Sequence, residues 1–156
     1  MADVFVVMGV CGCGKTTVGR ALAEATGGVF VEGDGFHPPV NVEKMRRGIP
    51  LGDADRAEWL AAMRERIAEE QNRAGPPAFV ACSALKQSYR DVLAEAGPVF
   101  WLYLRGDERE LRRRMQARKN HYMPASLLES QLAILEEPDE AIVVDIAEGS
   151  EAIVAR

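Results

Sequence analysis

Short apolar runs alternate with amphipathic stretches along almost the whole chain. Val4–Met8 is a compact apolar run followed at once by glycines, the pattern of a buried strand opening into a loop. From Thr16 to Ala25 the apolar residues Val18, Ala21, Leu22 and Ala25 recur at helical spacing, and Gly27-Gly28 predicts the stop. Val29–Val31 reads as a second strand, ended by Gly33-Asp34-Gly35. Residues 36–55, rich in Pro, Gly and charge, read as irregular. Asp55 then reads as an N-cap with Glu58 as its capping-box partner, opening a helix through Trp59, Leu60, Met63 and Ile67 to about Gly75. Further strands are predicted at Ala78–Cys82, Val99–Leu104 and Ala141–Asp145. Further helices are predicted at Gln87–Ala96, Glu108–Lys119 and Ser126–Leu135. Strands alternating with helices predict an α/β fold: a mostly parallel five-stranded sheet with helices on both faces.

Composition narrows this picture without changing it. The 156 residues suit one domain, 1–156, able to bury its own core. No apolar run reaches the roughly 20 residues of a membrane span, and no basic stretch precedes the first apolar run as in a signal peptide. A cytoplasmic location and no membrane partner are the expectation. The three cysteines, Cys11, Cys13 and Cys82, suit a reducing compartment and lack metal-ligand spacing. A net charge of −5 argues against a nucleic-acid partner. The exception is 105–119, with seven basic residues against three acidic. That stretch is either a solvated helix face or a site for a compact polyanion.

The chemistry begins at Gly9-Val10-Cys11-Gly12-Cys13-Gly14-Lys15-Thr16, a complete G-x-x-x-x-G-K-[ST] motif between a strand and a helix. Its glycines let successive backbone N–H groups turn toward phosphate oxygens, and the following helix adds the positive end of its dipole. Lys15 is expected to reach the β- and γ-phosphates of ATP, and the Thr16 hydroxyl to ligate Mg²⁺, with Thr17 alongside. Cys11 and Cys13 stand beside Lys15 and a helix N-terminus, so their thiols are expected to react with oxidants or alkylators unless ATP is bound. A kinase also needs a carboxylate near the transferred group. Asp145 ends one apolar strand and Asp34 follows another. Asp34 is preferred, as general base and indirect Mg²⁺ ligand, because its strand end can face the phosphate loop across the ligand crevice.

Beyond that loop the chain resembles the small bacterial-type gluconokinases, relatives of shikimate kinase and the nucleoside-monophosphate kinases. The resemblance is carried by GVCGCGKTT, EGDGFHPPVNVEKMRRGIPLGDADRAEWL, ACSALKQSYRD, ARKNHYMPASLLESQLAILEEP and VVDI. It implies a P-loop NTPase three-layer α/β/α sandwich, a substrate-binding lobe at about 36–75 and a lid at about 105–125. It further implies ATP- and Mg²⁺-dependent phosphorylation of D-gluconate on its 6-hydroxyl, and a homodimer.

In the matching segments, His37, Lys44, Arg56, Lys86 and Arg90 are candidates for holding a carboxylate with a row of hydroxyls, alongside Asp34. Arg90, then Arg56, is preferred for the carboxylate, because a guanidinium grips it with two hydrogen bonds. Each of these cations is otherwise a surface ion pair. Arg114 and Arg118 lie four apart on one helix face, fit for a lid over ATP, with Arg118 neutralising charge on the γ-phosphoryl group. His121 is either a lid contact or an exposed loop residue. Asn120 and Tyr122 depart from a usual glycine and phenylalanine, and the chain ends eleven residues after Asp145, so a closing helix is expected to be short or missing. The alternatives are a kinase for another sugar acid or a shikimate-like hydroxy acid, and a nucleotide switch. No N-K-x-D base-reading motif supports the switch.

Overall fold

The computed structural model describes residues 3–10, 13–49, 51–73, 75–106, 109–111, 113, 126–138 and 141–145, apart from the side chains of Asp34, Ser126, Leu127, Glu129, Ser130 and Asp145. Five strands form one sheet: β1 (Val4–Met8), β2 (Val29–Glu32), β3 (Ala78–Ala81), β4 (Phe100–Arg105) and β5 (Ile142–Asp145). Their order is β2-β3-β1-β4-β5 and every pairing is parallel. The described helices are α1 (Lys15–Thr26), α2 (Pro39–Arg46), α3 (Asp53–Asn72), α4 (Gln87–Ala94) and α5 (Ser126–Ile134). Because parallel crossovers are right-handed, the step from β1 to β2 sets α1 on one face. The opposite steps set α3, α4 and α5 on the other. This is the expected three-layer α/β/α sandwich.

Continuous apolar strands produce this arrangement. Val4, Val6, Val7 and Met8 are fully buried, as are Ala78 and Val80 beside them. Under α1, Phe30, Phe79, Phe5 and Phe100 pair in register across four strands. Phe5 stacks on Phe79 at 5.2 Å and on Phe100 at 5.0 Å between ring centroids. On the other face Trp59, Met63, Ile67 and Leu93 fill the space between the sheet and the α3–α4 pair.

Two local expectations are corrected. Residues 36–55 are not irregular: α2 occupies Pro39–Arg46, its first turn fixed by Pro39, whose missing N–H is no loss at a helix start. Asp55 is not an N-cap. α3 begins two residues earlier at Asp53, and the Asp55 carboxylate accepts the Gly52 N–H at 2.9 Å from inside the first turn. Glycine has no side chain to return the bond, so the cap is one-sided. The charged helix expected over 108–119 lies mostly outside the described residues; 109–111 within it are helical.

Candidate active site

The sheet delivers the ends of β1, β2 and β3 to one rim. Beyond β1 the chain turns sharply at Gly9, with φ +148°, where a Cβ would meet the Leu104 carbonyl at 2.8 Å and Cys13 Sγ at 2.7 Å. Gly14, with φ +93°, makes the left-handed step into α1. Lys15 opens that helix. Its Nζ donates to the Gly9 and Val10 carbonyls at 3.0 and 3.1 Å, so the ammonium lies within the curl of the loop. Thr16 Oγ1 donates a short hydrogen bond to the Glu32 carboxylate. Thr17 is exposed.

Glu32 is the last residue of β2, and the Gly33–Phe36 turn after it carries Asp34. A Cβ on Gly33 would stand 2.1 Å from the Ala81 carbonyl, so only glycine lets this turn lie against β3. The buried Trp59 Nε1 donates to the Gly33 carbonyl at 2.9 Å, and the Trp59 ring stacks on His37 at 4.3 Å. Asn41 Nδ2 donates to the Asp55 carbonyl at 2.7 Å and lies 3.3 Å from His37 Nδ1. Thus α3 holds both the turn that carries Asp34 and the start of α2. Lys44 pairs with Asp55 at 2.8 Å; that contact and the Gly52 N–H hold the Asp55 carboxyl below its usual range.

The third group joins α3 to α4. Tyr89 OH donates to Asp53, Lys86 Nζ donates to the same carboxylate at 3.1 Å, and Arg56 Nη1 donates to the Tyr89 oxygen at 2.9 Å. The guanidinium of Arg56 and the ammonium of Lys86 both stand over the Tyr89 ring, 5.3 and 5.7 Å from its centroid. The Tyr89 bond, and then Lys86, holds Asp53 below the usual carboxylate range. Asp53 in turn raises Lys86. Burial, then the bond to Asp53, raises Tyr89. The loop leading to Lys86 touches the phosphate loop, since the Gly9 N–H donates to the Ser83 carbonyl at 3.4 Å.

The chain matches the family described as AAA domain over residues 4–138. It is 52% identical over 141 residues to the gluconokinase of Gluconobacter oxydans (strain 621H), an alignment covering 88% of this chain and 79% of that protein. The chain belongs to the gluconokinase family. Solved structures agree. A gluconokinase from Sinorhizobium meliloti 1021 superposes with a TM-score of 0.86 at 48% identity, covering 98% of this chain and 87% of that one. An unliganded sugar kinase from Janibacter sp. HTCC2649 superposes at 0.91 and 47%, covering 100% and 92%.

Within this gluconokinase-family framework the expected residues separate. Lys15, Thr16, Gly9, Val10, Cys13 and Gly14 lie in the phosphate loop and the start of α1, and His37, Lys44, Arg56 and Lys86 lie on or beside the starts and ends of α2, α3 and α4. Arg90 differs from the expectation. It is 2% exposed, and its guanidinium donates to the carbonyls of Ala84 at 2.7 Å and Glu136 at 2.8 Å. A cation tied to backbone in this way is a strut, whereas Arg56 and Lys86 converge on Tyr89 and Asp53. Cys13 is 1% exposed, which removes it as a reactive thiol. Cys11, Gly12, Arg114, Arg118 and His121 lie outside the described residues, as do the side chains of Asp34 and Asp145.

Sequence reasoning missed Glu32, Asp53 and Tyr89. Glu32 and Asp53 were legible as acids inside the long matching segment, and Tyr89 as the hydroxyl of SALKQSYRD. Only folding shows that they meet Thr16, Lys86 and Arg56.

Proposed function

We infer that the protein transfers the γ-phosphoryl group of ATP to the 6-hydroxyl of D-gluconate, giving 6-phosphogluconate and ADP. The observation that carries this reading is the meeting of the two most distinctive segments. Asp53 and Arg56 of one join Lys86 and Tyr89 of the other, on a loop that touches the phosphate loop. Two cations beside a hydroxyl and a carboxylate suit a substrate that is itself a carboxylate with hydroxyls.

Lys15 lies where phosphate oxygens would exchange for the Gly9 and Val10 carbonyls. Asp34, carried at the rim by the Gly33 turn, takes the proton of the acceptor hydroxyl. The new bond forms between that oxygen and the γ-phosphorus, the β–γ bridge breaks, and ADP leaves. Mg²⁺ would be held by Thr16 and Glu32, with Asp34 acting through water, and would neutralise charge on the phosphates. The donors fit: a hydroxyl and a carboxylate are hard oxygen ligands. Among the described residues no three histidine, cysteine or carboxylate side chains converge as a closed cage would require. Arg114, Arg118 and His121 lie outside the described residues; the family resemblance supports a lid over about 105–125 in which Arg114 and Arg118 would neutralise charge on ATP, Arg118 at the γ-phosphoryl group, with His121 as a candidate lid contact.

One catalytic domain, 1–156, would act as a cytoplasmic homodimer. No nucleic-acid or membrane partner is proposed, and no helix among the described residues is long and apolar enough to cross a membrane. Sedimentation velocity should give twice the monomer mass.

ADP release from Mg-ATP, measured against D-gluconate, other aldonates, shikimate, glycerate and a blank, tests the reading. Gluconate should dominate. A preference for another acid would keep the mechanism and replace the substrate. Turnover without any acceptor would contradict both.

A further inference from the structure

Ala84 is buried and has φ +45°, the one left-handed residue other than glycine among the described residues. It lies between Ser83, whose carbonyl receives the Gly9 N–H, and Lys86, which reaches Asp53. A left-handed alanine persists only where its surroundings hold it. Two residues do so here. Arg90 Nη1 donates to the Ala84 carbonyl at 2.7 Å and, more weakly, to that of Leu85 at 3.4 Å. Glu136, from the segment after α5, is bound at three points. Its N–H donates to the Leu85 carbonyl at 2.8 Å, its carbonyl receives Arg90 Nη2 at 2.8 Å, and its carboxylate accepts the Gln87 N–H at 2.9 Å. That last bond places a negative charge on the first turn of α4, which has no side-chain cap of its own.

We propose that Arg90 and Glu136 are positioning residues for the acceptor site: together they hold Ala84 left-handed and so fix Lys86 and Tyr89 relative to the phosphate loop. The inference rests on the sugar-acid reading of Lys86 and Tyr89. It departs from that reading in giving Arg90 no contact with substrate.

The test separates a positioning role from a direct one by rescue. Arg90→Gln should raise the KM for D-gluconate about tenfold while leaving the KM for ATP within about twofold. Ala84→Gly alone should be close to wild type, because glycine adopts φ +45° without help. In the Arg90→Gln background it should restore most of the lost gluconate affinity. Glu136→Ala should raise the gluconate KM in the same direction, whereas Glu136→Gln, which keeps an acceptor for the Gln87 N–H, should not. Hydrogen exchange supplies a readout independent of substrate: amides 84–87 should exchange faster in Arg90→Gln and Glu136→Ala than in wild type, and those of α1 should not.

If Arg90 touched the substrate carboxylate, Ala84→Gly could not rescue it and Glu136→Ala would leave the gluconate KM unchanged. Either result overturns the proposal, as does equal loss of ATP and gluconate affinity. If another acid in the panel is the true substrate, the same KM comparison made with that acid tests the clasp. If none is turned over, unchanged exchange at 84–87 overturns the clasp by itself. Should Arg90→Gln fail to fold, the Glu136 pair and the exchange measurement carry the same decision.

Discussion

The hydrogen bond from Thr16 to Glu32 joins the start of α1 to the end of β2. It places a carboxylate beside the hydroxyl that a phosphate loop uses for its metal. Glu32→Gln keeps the shape and removes the charge. It should raise the Mg²⁺ concentration needed for half-maximal rate by roughly 10–100-fold, without lowering the melting temperature; an unchanged Mg²⁺ requirement would remove Glu32 from the metal site. Gly33 makes the opposite kind of demand. With the Ala81 carbonyl 2.1 Å from the position of an added Cβ, Gly33→Ala must push backbone against backbone. It should cost roughly 1–3 kcal/mol in denaturant unfolding and lower kcat by shifting the turn that carries Asp34. Tyr103 gives a pH test at one residue. Burial, and then the neighbouring Glu137, pushes its hydroxyl up to about 12. The unfolded chain loses this proton near pH 10 and the folded chain near 12. Its stabilising contribution is therefore complete below pH 10 and falls as pH rises between those values, by roughly 1.4 kcal/mol per unit. Alkaline unfolding monitored at several pH values should show that slope, and Tyr103→Phe should flatten it.

At the scale of elements, the junction of α3 and α4 does what neither helix can do alone. Asp53 and Arg56 open α3, and Lys86 and Tyr89 open α4, so each helix start supplies one acid or hydroxyl and one cation. Tyr89→Phe removes the hydroxyl that links Arg56 to Asp53. It should raise the gluconate KM several-fold with little change in the ATP KM, and steady-state kinetics in both substrates will show the split. Acid should loosen the same junction. Asp53 and Asp55 hold their protons more weakly than the ordinary value of 3.8, so their contribution is present above that pH and is lost as pH falls through their lowered values.

The junction also marks how far the sequence could be read. Strands and long helices were legible because their apolar periods are strong: Val4–Met8 and the Trp59, Leu60, Met63, Ile67 series each allow one reading. α2 was not legible, because Pro38-Pro39 and a charged octapeptide look like loop until Met45 and Asn41 are seen to be buried. The backbone bonds of Arg90 were not legible for a related reason. A guanidinium suits a carboxylate and three carbonyls equally well, and sequence says which residue type is present but not which oxygens surround it. Glu32 was passed over for Asp34, since nothing in EGDG shows which acid turns toward Thr16.

For the whole molecule, the parallel order β2-β3-β1-β4-β5 brings the loops after β1, β2 and β3 to one rim. The phosphate loop, the Glu32 end of β2 and the loop from β3 into α4 therefore lie at one rim, in keeping with ligand binding at the carboxyl ends of parallel strands. The enzyme's distinctive claim is regiochemical: the phosphoryl group goes to the 6-hydroxyl of D-gluconate. The most direct test is ³¹P–¹H correlation NMR of the product formed from Mg-ATP and D-gluconate. One new phosphomonoester coupled to the C6 methylene protons, formed together with ADP, is the expected result. Phosphate on another carbon, or inorganic phosphate as the sole new signal, would contradict it.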